Sequence, residues 1–207
     1  MQKKVVLALL MAALLAGGAF AEEFSMSAGA GTLLDFSGNN GAKGGGEYLG
    51  IQILSLGFYA FFDATYAEAD ISFAYGRLKG SGGFEDSRQG SDYDSRMFQL
   101  GFTLLGKYPF EVGEFTFFPL LGFNYNVVLS HTVAGIRDPE PGKWSQLGLL
   151  AGAGGDFFLT DTLYLRGEGM FHLRFPPTAL KETASHEGGS ATFGMGPRMK
   201  LGVGYKF

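Results

Sequence analysis

The sequence has 207 residues, with 16 Lys and Arg against 20 Asp and Glu, a net charge of −4 that argues against a nucleic-acid partner. With no Cys, it has no disulfide framework, no cysteine metal site and no lipid-modified N-terminal cysteine. Its 21 Phe and 34 Gly beside only 17% charged residues are more apolar rings than the core of one water-soluble domain can bury, whereas a lipid-facing wall can take them.

The chain opens on a secretory pattern. Lys3 and Lys4 precede an unbroken apolar stretch from Val5 to Ala16, and Ala19-Phe20-Ala21 is a small-x-small cleavage site. The apolar stretch is short for a spanning helix, which needs about 20 residues. Cleavage after Ala21, with Ala19 two residues before it, leaves Glu22 as the mature N-terminus. Residues 1–21 therefore read as a signal peptide and 22–207 as one domain. Cleavage removes two lysines and no acids, so 16 − 2 bases against 20 acids leave −6. No later stretch is a candidate spanning helix, so a mature chain that crosses a membrane does so with strands.

The first expected strand runs from Phe24 to Phe36, with Phe24, Met26, Ala28, Ala30, Leu34 and Phe36 on one face and Ser25, Ser27, Gly29, Gly31 and Asp35 on the other. Ser37 to Gly46 reads as a Gly- and Asn-rich loop. The second strand ends with Leu54, Leu56, Phe58, Ala60 and Phe62 on one face, while Leu49, Ile51 and Ile53 have the opposite parity. A β-bulge near Ile53 reconciles them, and so does a later strand start. A tight turn at Asp63-Ala64 leads to the third strand, where Ala67, Ala69, Ile71, Phe73 and Tyr75 alternate with Glu68, Asp70, Ser72, Ala74 and Gly76. Lys79 to Ser95 reads as a polar loop.

The fourth strand sets Phe98, Leu100, Phe102 and Leu104 against Gln99, Gly101, Thr103 and Lys107, and Pro109 to Gly113 turns the chain. The fifth carries Phe115, Phe117, Pro119, Leu121, Phe123, Tyr125, Val127 and Leu129 on one face. His131 to Lys143 reads as a loop. In the sixth, Leu147, Leu149, Ala151, Ala153 and Phe157 oppose Gln146, Gly148, Gly152, Gly154 and Asp156. After a turn at Thr160-Asp161-Thr162, the seventh sets Leu163, Leu165, Phe171, Leu173 and Phe175 against Arg166, Glu168, His172 and Arg174. Pro176 to Ser190 reads as a loop. The eighth ends the chain on Met199, Leu201, Val203, Tyr205 and Phe207, alternating with Lys200, Gly202, Gly204 and Lys206.

Short connections follow strands two, four and six, and long ones follow one, three, five and seven. That strict alternation is the asymmetry of transmembrane barrels, in which periplasmic turns are short and extracellular loops long. An even strand number puts both termini on the periplasmic side. The predicted fold class is an all-β, eight-stranded antiparallel up-and-down transmembrane barrel. A lipocalin-like soluble barrel would turn its apolar face inward. Here the polar face is mostly glycine with a few charges, which suits a narrow lumen, and the apolar face is bulky with aromatics near strand ends.

The pattern resembles the eight-stranded outer-membrane barrel family that includes OmpA, OmpX, OmpW and opacity-like proteins. The resemblance covers the whole mature chain and rests on FTFFPLLGFNY (115–125), LGLLAGAGGDFFLTDTLYLRGEG (147–169) and the terminal LGVGYKF. It implies an outer-membrane location, outer-membrane lipids as surroundings, and recognition of Leu201, Val203, Tyr205 and Phe207 by the barrel-assembly machinery. It also implies two candidate roles: a narrow channel or carrier for small, including apolar, solutes, or a structural or adhesin-type surface protein acting through four loops. With the chain ending at strand eight, an OmpA-type periplasmic domain is not expected.

The charged residues expected in the lumen are Glu68, Asp70, Asp156, Arg166, Glu168, His172, Arg174, Arg198 and Lys200. A three-residue turn at 160–162 sets Asp156 opposite Arg166. In a narrow, poorly hydrated lumen such charges are expected to pair and plug the barrel; the alternative is an ion- or solute-conducting path. Leu33, Tyr59, Phe61, Phe118, Leu120, Leu150, Tyr164 and Met170 share the lumen face, as filling or as the lining of an apolar pocket. No enzyme is expected: none of His131, His172 and His186 has a Ser two residues on, the pattern of barrel lipid A deacylases. No metal-binding spacing occurs and no cofactor is called for. Trp144, at a loop-to-strand junction, reads as an interfacial anchor. The intact mass of membrane-extracted protein is expected to start at Glu22; a mass that retains Met1 would remove the signal-peptide reading.

Overall fold

The computed structural model describes residues 25–44, 47–81, 93–186 and 188–207. The expected signal peptide, its cleavage residues Ala19, Ala21 and Glu22, and Phe24 lie outside the described residues, as do 82–92 of the second long loop. Eight long strands run in chain order: β1 (Met26–Gly44), β2 (Glu47–Ala64), β3 (Ala67–Ser81), β4 (Tyr93–Lys107), β5 (Phe115–Val133), β6 (Gln146–Phe158), β7 (Leu163–Arg174) and β8 (Gly194–Lys206). Each pairs antiparallel with the next, and β1 pairs with β8 from Ser27↔Lys206 to Gly38↔Met195, which closes the barrel. Closure leaves no barrel strand with an unpaired edge, the condition for a sheet in hydrocarbon.

Period-two alternation decides which solvent each side chain meets. Phe58, Leu121 and Leu201 point outward and are 72%, 70% and 67% exposed, whereas Phe118 and Leu150 point inward and are 1% exposed. A soluble barrel would reverse this. Aromatic contacts ring the end that carries the short turns: Phe115 and Phe157 at 4.8 Å, Tyr66 and Tyr108 at 6.0 Å, and Tyr205 and Phe207 at 6.2 Å between ring centroids. Phe175 and Phe193, at 5.4 Å, mark the opposite end. These are the positions of interfacial girdles.

Several local expectations are corrected. The first hairpin is far longer than expected: residues 37–44 continue β1 rather than forming a loop, and the ladder reaches Gly44↔Glu47. The irregularity sought near Ile53 lies in its partner, because Ser37 pairs Ile53 and Asn40 pairs Ile51, one extra residue on β1. β2 alternates without interruption, so Ile51 and Ile53 are buried inward-facing residues. The β2–β3 turn is Thr65-Tyr66 rather than Asp63-Ala64, since Ala64 still pairs Ala67. β5 continues through His131 to Val133 and folds back at Ala134-Gly135, both at positive φ, onto a short strand Ile136–Arg137. The 176–190 segment contains helix α1 (Thr178–His186), followed by a short strand Ser190–Thr192 that extends the β1 ladder. Alternation has no hold on a helix, so a search for strands reads it as loop.

Inside, apolar side chains form three clusters. Ile51, Ile53, Leu78, Met97 and Val128 fill the mouth at the loop end, with Leu180 of α1 seated on them. Leu105, Phe118, Leu120, Leu150 and Met170 form a second, and Leu33, Tyr59, Phe61 and Tyr164 a third. Glycine supplies the space on the lumen face. A Cβ at Gly148 would collide with the imidazole of His172, and one at Gly204 with the ring of Tyr164.

Candidate functional site

The polar face of the strands converges on one chain of ion pairs along the barrel axis. At the turn end, Lys107 pairs with Asp63, and Asp63 also pairs with Arg166. Asp63 faces Glu68 across the β2–β3 ladder, so two carboxylates stand opposed and need a shared cation. Arg166 provides it. Its Nη1 donates to Glu68 Oε2 at 2.6 Å, while Nε and Nη2 donate to the two oxygens of Asp156 at 2.7 and 2.6 Å. The Asp156 contact is the bidentate fork expected of Arg and carboxylate, and the two residues face each other in the ladder.

Glu68 links onward to Lys200, whose Nζ lies 2.9 Å from Glu68, 2.9 Å from Asp70 and 2.6 Å from Glu168. Arg198 sits between Asp70 at 3.9 Å and Asp35 at 3.7 Å and donates to the Thr103 hydroxyl at 3.3 Å. Asp35 then accepts from Arg174 at 2.8 Å and lies 3.2 Å from His172 Nδ1. Arg174 ends the chain on the Gln146 carbonyl oxygen at 3.4 Å. Five cations and six carboxylates are thus woven together, every one of these side chains at most 7% exposed. Aromatic faces replace water around them. The Arg166 guanidinium lies 4.6 Å from the Phe61 ring centroid, and Lys200 Nζ 4.8 Å from that of Tyr59.

The structure brings all nine sequence-expected lumen residues together in this chain: Glu68, Asp70, Asp156, Arg166, Glu168, His172, Arg174, Arg198 and Lys200. Three further members went unlisted at the sequence level. Asp35 and Lys107 carry the same parity signal, being on the polar faces of their strands. Asp63 was taken for a turn residue, and only the true position of the turn turns it inward. The apolar lumen residues Leu33, Tyr59, Phe61, Phe118, Leu120, Leu150, Tyr164 and Met170 are all buried within the wall.

A second polar cluster sits at the loop end. Ser95 Oγ lies 3.1 Å from His131 Nε2, and His131 Nδ1 lies 3.0 Å from Asp138 Oδ2. The order is that of a hydrolytic triad, but Ser95 and His131 are 1% and 0% exposed, which leaves no approach for an acyl group. What the cluster does is tie the third long loop to the wall. Asp138 also accepts from the backbone N–H of Glu140 at 2.8 Å and from the Trp144 indole at 3.0 Å. The hydrogen bond from His131 is the main reason the Asp138 carboxyl is held below its ordinary pKa. Trp144 is therefore not the lipid-facing anchor expected. It ends a 3-10 turn (Pro141–Trp144), packs on the apolar mouth cluster and lies 4.7 Å from the His131 ring. A partly buried indole N–H needs an acceptor, and Asp138 supplies it inward.

No protein-family model matches the sequence, and no curated protein matches it. Solved structures do. Neisserial surface protein A is similar with a TM-score of 0.52 at 12% identity, over 90% of this chain and 100% of that one. The outer membrane protein OprG from Pseudomonas aeruginosa is similar with a TM-score of 0.49 at 16% identity, over 88% and 95%. Ail, the attachment invasion locus protein of Yersinia pestis, gives 0.41 at 18% identity, over 89% and 99%. Likeness at this identity speaks to fold. With its closed sheet and outward apolar wall, the chain is an eight-stranded β-barrel of the outer-membrane type.

Proposed function

We propose that this protein is a closed-lumen, non-enzymatic outer-membrane barrel that works as a structural or adhesive surface platform rather than as an ion channel. The observation that carries this reading is the unbroken chain of buried ion pairs from Lys107 to Arg174, capped at the loop end by Leu180 and its apolar neighbours. A passing ion would have to displace a partner from a paired, dehydrated charge, which costs several kcal/mol. The short turns and both termini then face the periplasm, in keeping with the even strand count and the long loops at the other end. Leu201, Val203, Tyr205 and Phe207 all face outward on β8 and its end, where assembly machinery could read them, and we assign them that role.

A second reading, carriage of a small apolar solute, is favoured by a groove of about 560 Å³ in the outer wall, floored by Ala60 and Ala69 and flanked by Phe62, Phe102 and Phe123. Asp70 of the charge chain and Thr103 also line it, so an apolar solute held there would rest against the wall beside the ionic filling.

Refolded protein in planar bilayers is expected to carry no steady current. Large, stable, ion-selective currents would overturn the closed lumen, and faster uptake of a small apolar solute by parent cells than by deletion cells would move the assignment to the second reading.

The charge chain makes Arg166, which contacts three carboxylates, costly to neutralise. R166Q leaves Asp156 without its cation and takes one of two cations from Asp63 and Glu68, and should cost about 3–5 kcal/mol in unfolding free energy. Adding D156N should recover part of that loss, read by urea unfolding in micelles. Additive losses in the double variant would show that the two are not coupled.

Because the folded pKa of Asp138 is depressed, its contribution is present above the ordinary Asp value of about 3.9 and is lost as pH falls through the lowered one. Emission from the single tryptophan, Trp144, should therefore stay constant down to about pH 4 and shift only below it. In D138N the acid shift should vanish; the same shift in D138N would assign it elsewhere.

A further inference from the structure

At the turn end the charge chain stops short of the surface and floors an open vestibule of about 670 Å³. Small-molecule sites are of this size, roughly 300–1,000 Å³. Every barrel strand except β3 contributes to the lining. The register sets the wall. Ser27 of β1 faces Asp63 of β2 on one side and Lys206 of β8 on the other. Thr116 of β5 faces Asp156 of β6, and Phe158 of β6 faces Tyr164 of β7. Asp63, Lys107, Asp156 and Arg166 make the floor, with side chains at most 7% exposed.

Three features limit what this vestibule can hold. Its charges balance, with Asp63, Glu111 and Asp156 against Lys107, Arg166 and Lys206. The floor charges are also paired with one another, Asp63 with Lys107 and Arg166, and Asp156 with Arg166. An ionic guest would have to break a buried pair to gain a partner. A neutral hydroxyl need not, because a carboxylate has about four lone-pair sites and an ammonium three N–H donors. Lastly, rings stand beside hydroxyls. The half-buried Phe158 ring lies 5.2 Å from that of Tyr164, whose hydroxyl is 2.7 Å from Ser27 Oγ. Thr116 is half-buried on the neighbouring strand. A wholly apolar guest would strip water from these polar groups without replacing its hydrogen bonds.

We propose that the turn-end vestibule binds a neutral saccharide of one or two rings. A pyranose has an apolar face of C–H bonds and an edge of hydroxyls. The face lies on the Phe158 ring, whose flat surface suits it. The hydroxyls bond to Thr116 and to the oxygens and N–H groups of Asp156 and Lys107. The assignment rests on the closed lumen and the orientation given above: the sugar enters from the periplasm and goes no further than Arg166. A free saccharide and the exposed end of a cell-wall glycan strand offer this same chemistry.

The test is saturation-transfer NMR on the refolded full chain in micelles, titrated with N,N′-diacetylchitobiose. Two probes carry charge: its deacetylated counterpart, at a pH that keeps the amines protonated, and zwitterionic glycylglycine. The neutral disaccharide should bind about tenfold more tightly than either. F158L, which removes the flat face, should weaken it about tenfold. T116V keeps the side-chain shape and leaves the ion pairs alone; it should weaken binding about fivefold, the worth of one hydrogen bond. Unchanged heat-modifiable mobility would show that both variants are folded. Absence of binding by the neutral disaccharide, equal binding of either charged probe, or parent affinity in both variants would overturn the site. Co-sedimentation with purified cell-wall sacculi, abolished by free disaccharide, would identify the wall glycan as the source; disaccharide binding without co-sedimentation would identify a soluble saccharide. Binding in micelles does not depend on which end faces out, and currents in planar bilayers report closure alone, so this site and the closed-lumen reading can fail separately.

Discussion

Water is scarce on both sides of this wall, and that shortage governs the rest of the molecule. Outside is hydrocarbon; inside, eight strands enclose room for side chains and little else. Every polar group must therefore find its partner within the protein. The backbone does so by closing β1 onto β8. The charged side chains do so by standing in register. Arg166 faces Asp156, Lys200 faces Glu168, and the opposed acids Asp63 and Glu68 share Arg166. Glycine at 148 and 204 follows from the same scarcity of space, since large lumen rings and imidazoles fit only where a facing strand has no side chain.

The two ends of the lumen are closed by different chemistry. From Lys107 to Arg174 the filling is ionic, held by charge and lined with aromatic faces. Beyond it, Ile51, Ile53, Leu78, Met97 and Val128 make an apolar collar that receives Leu180. Above the collar, Asp138 gathers His131, Trp144 and the backbone of Glu140 and so draws a loop inward. An ionic plug resists small ions through desolvation, and an apolar one resists them by offering no ligand.

Much of this could be read in the sequence because alternation is imposed by the bilayer. Within the membrane band, Phe58 and Tyr59 cannot exchange faces without placing a polar face in lipid, so parity alone assigned the barrel strands and nine of the charged lumen residues. The signal fades where that pressure ends. Residues 37–44 are rich in Gly and Asn and look like a loop, yet they pair with β2 as a ladder standing clear of the apolar band. The opposite parity of Ile51 and Ile53 was visible but not interpretable, because its meaning, an apolar collar closed by α1, depends on a helix about 130 residues away in the chain. Trp144 misled for a similar reason: an amphipathic ring at a junction suits an interface and a plug equally, and only Asp138 decides between them. Asp63 was missed by a single step in the turn.

The pairing of β1 with β8 also sets an order on biogenesis. Ser27 and Lys206 are neighbours in the ladder but lie at opposite ends of the described chain, so the hairpins that precede this seam can form from local contacts while the seam cannot. Until the last strand is delivered, the nascent sheet carries two raw edges, each able to recruit a strand from another molecule. The seam is thus a checkpoint of completeness: a copy arrested before β8 would have much of its wall and no means of shutting it, and would be exposed to aggregation or proteolysis rather than stored as a partly useful product.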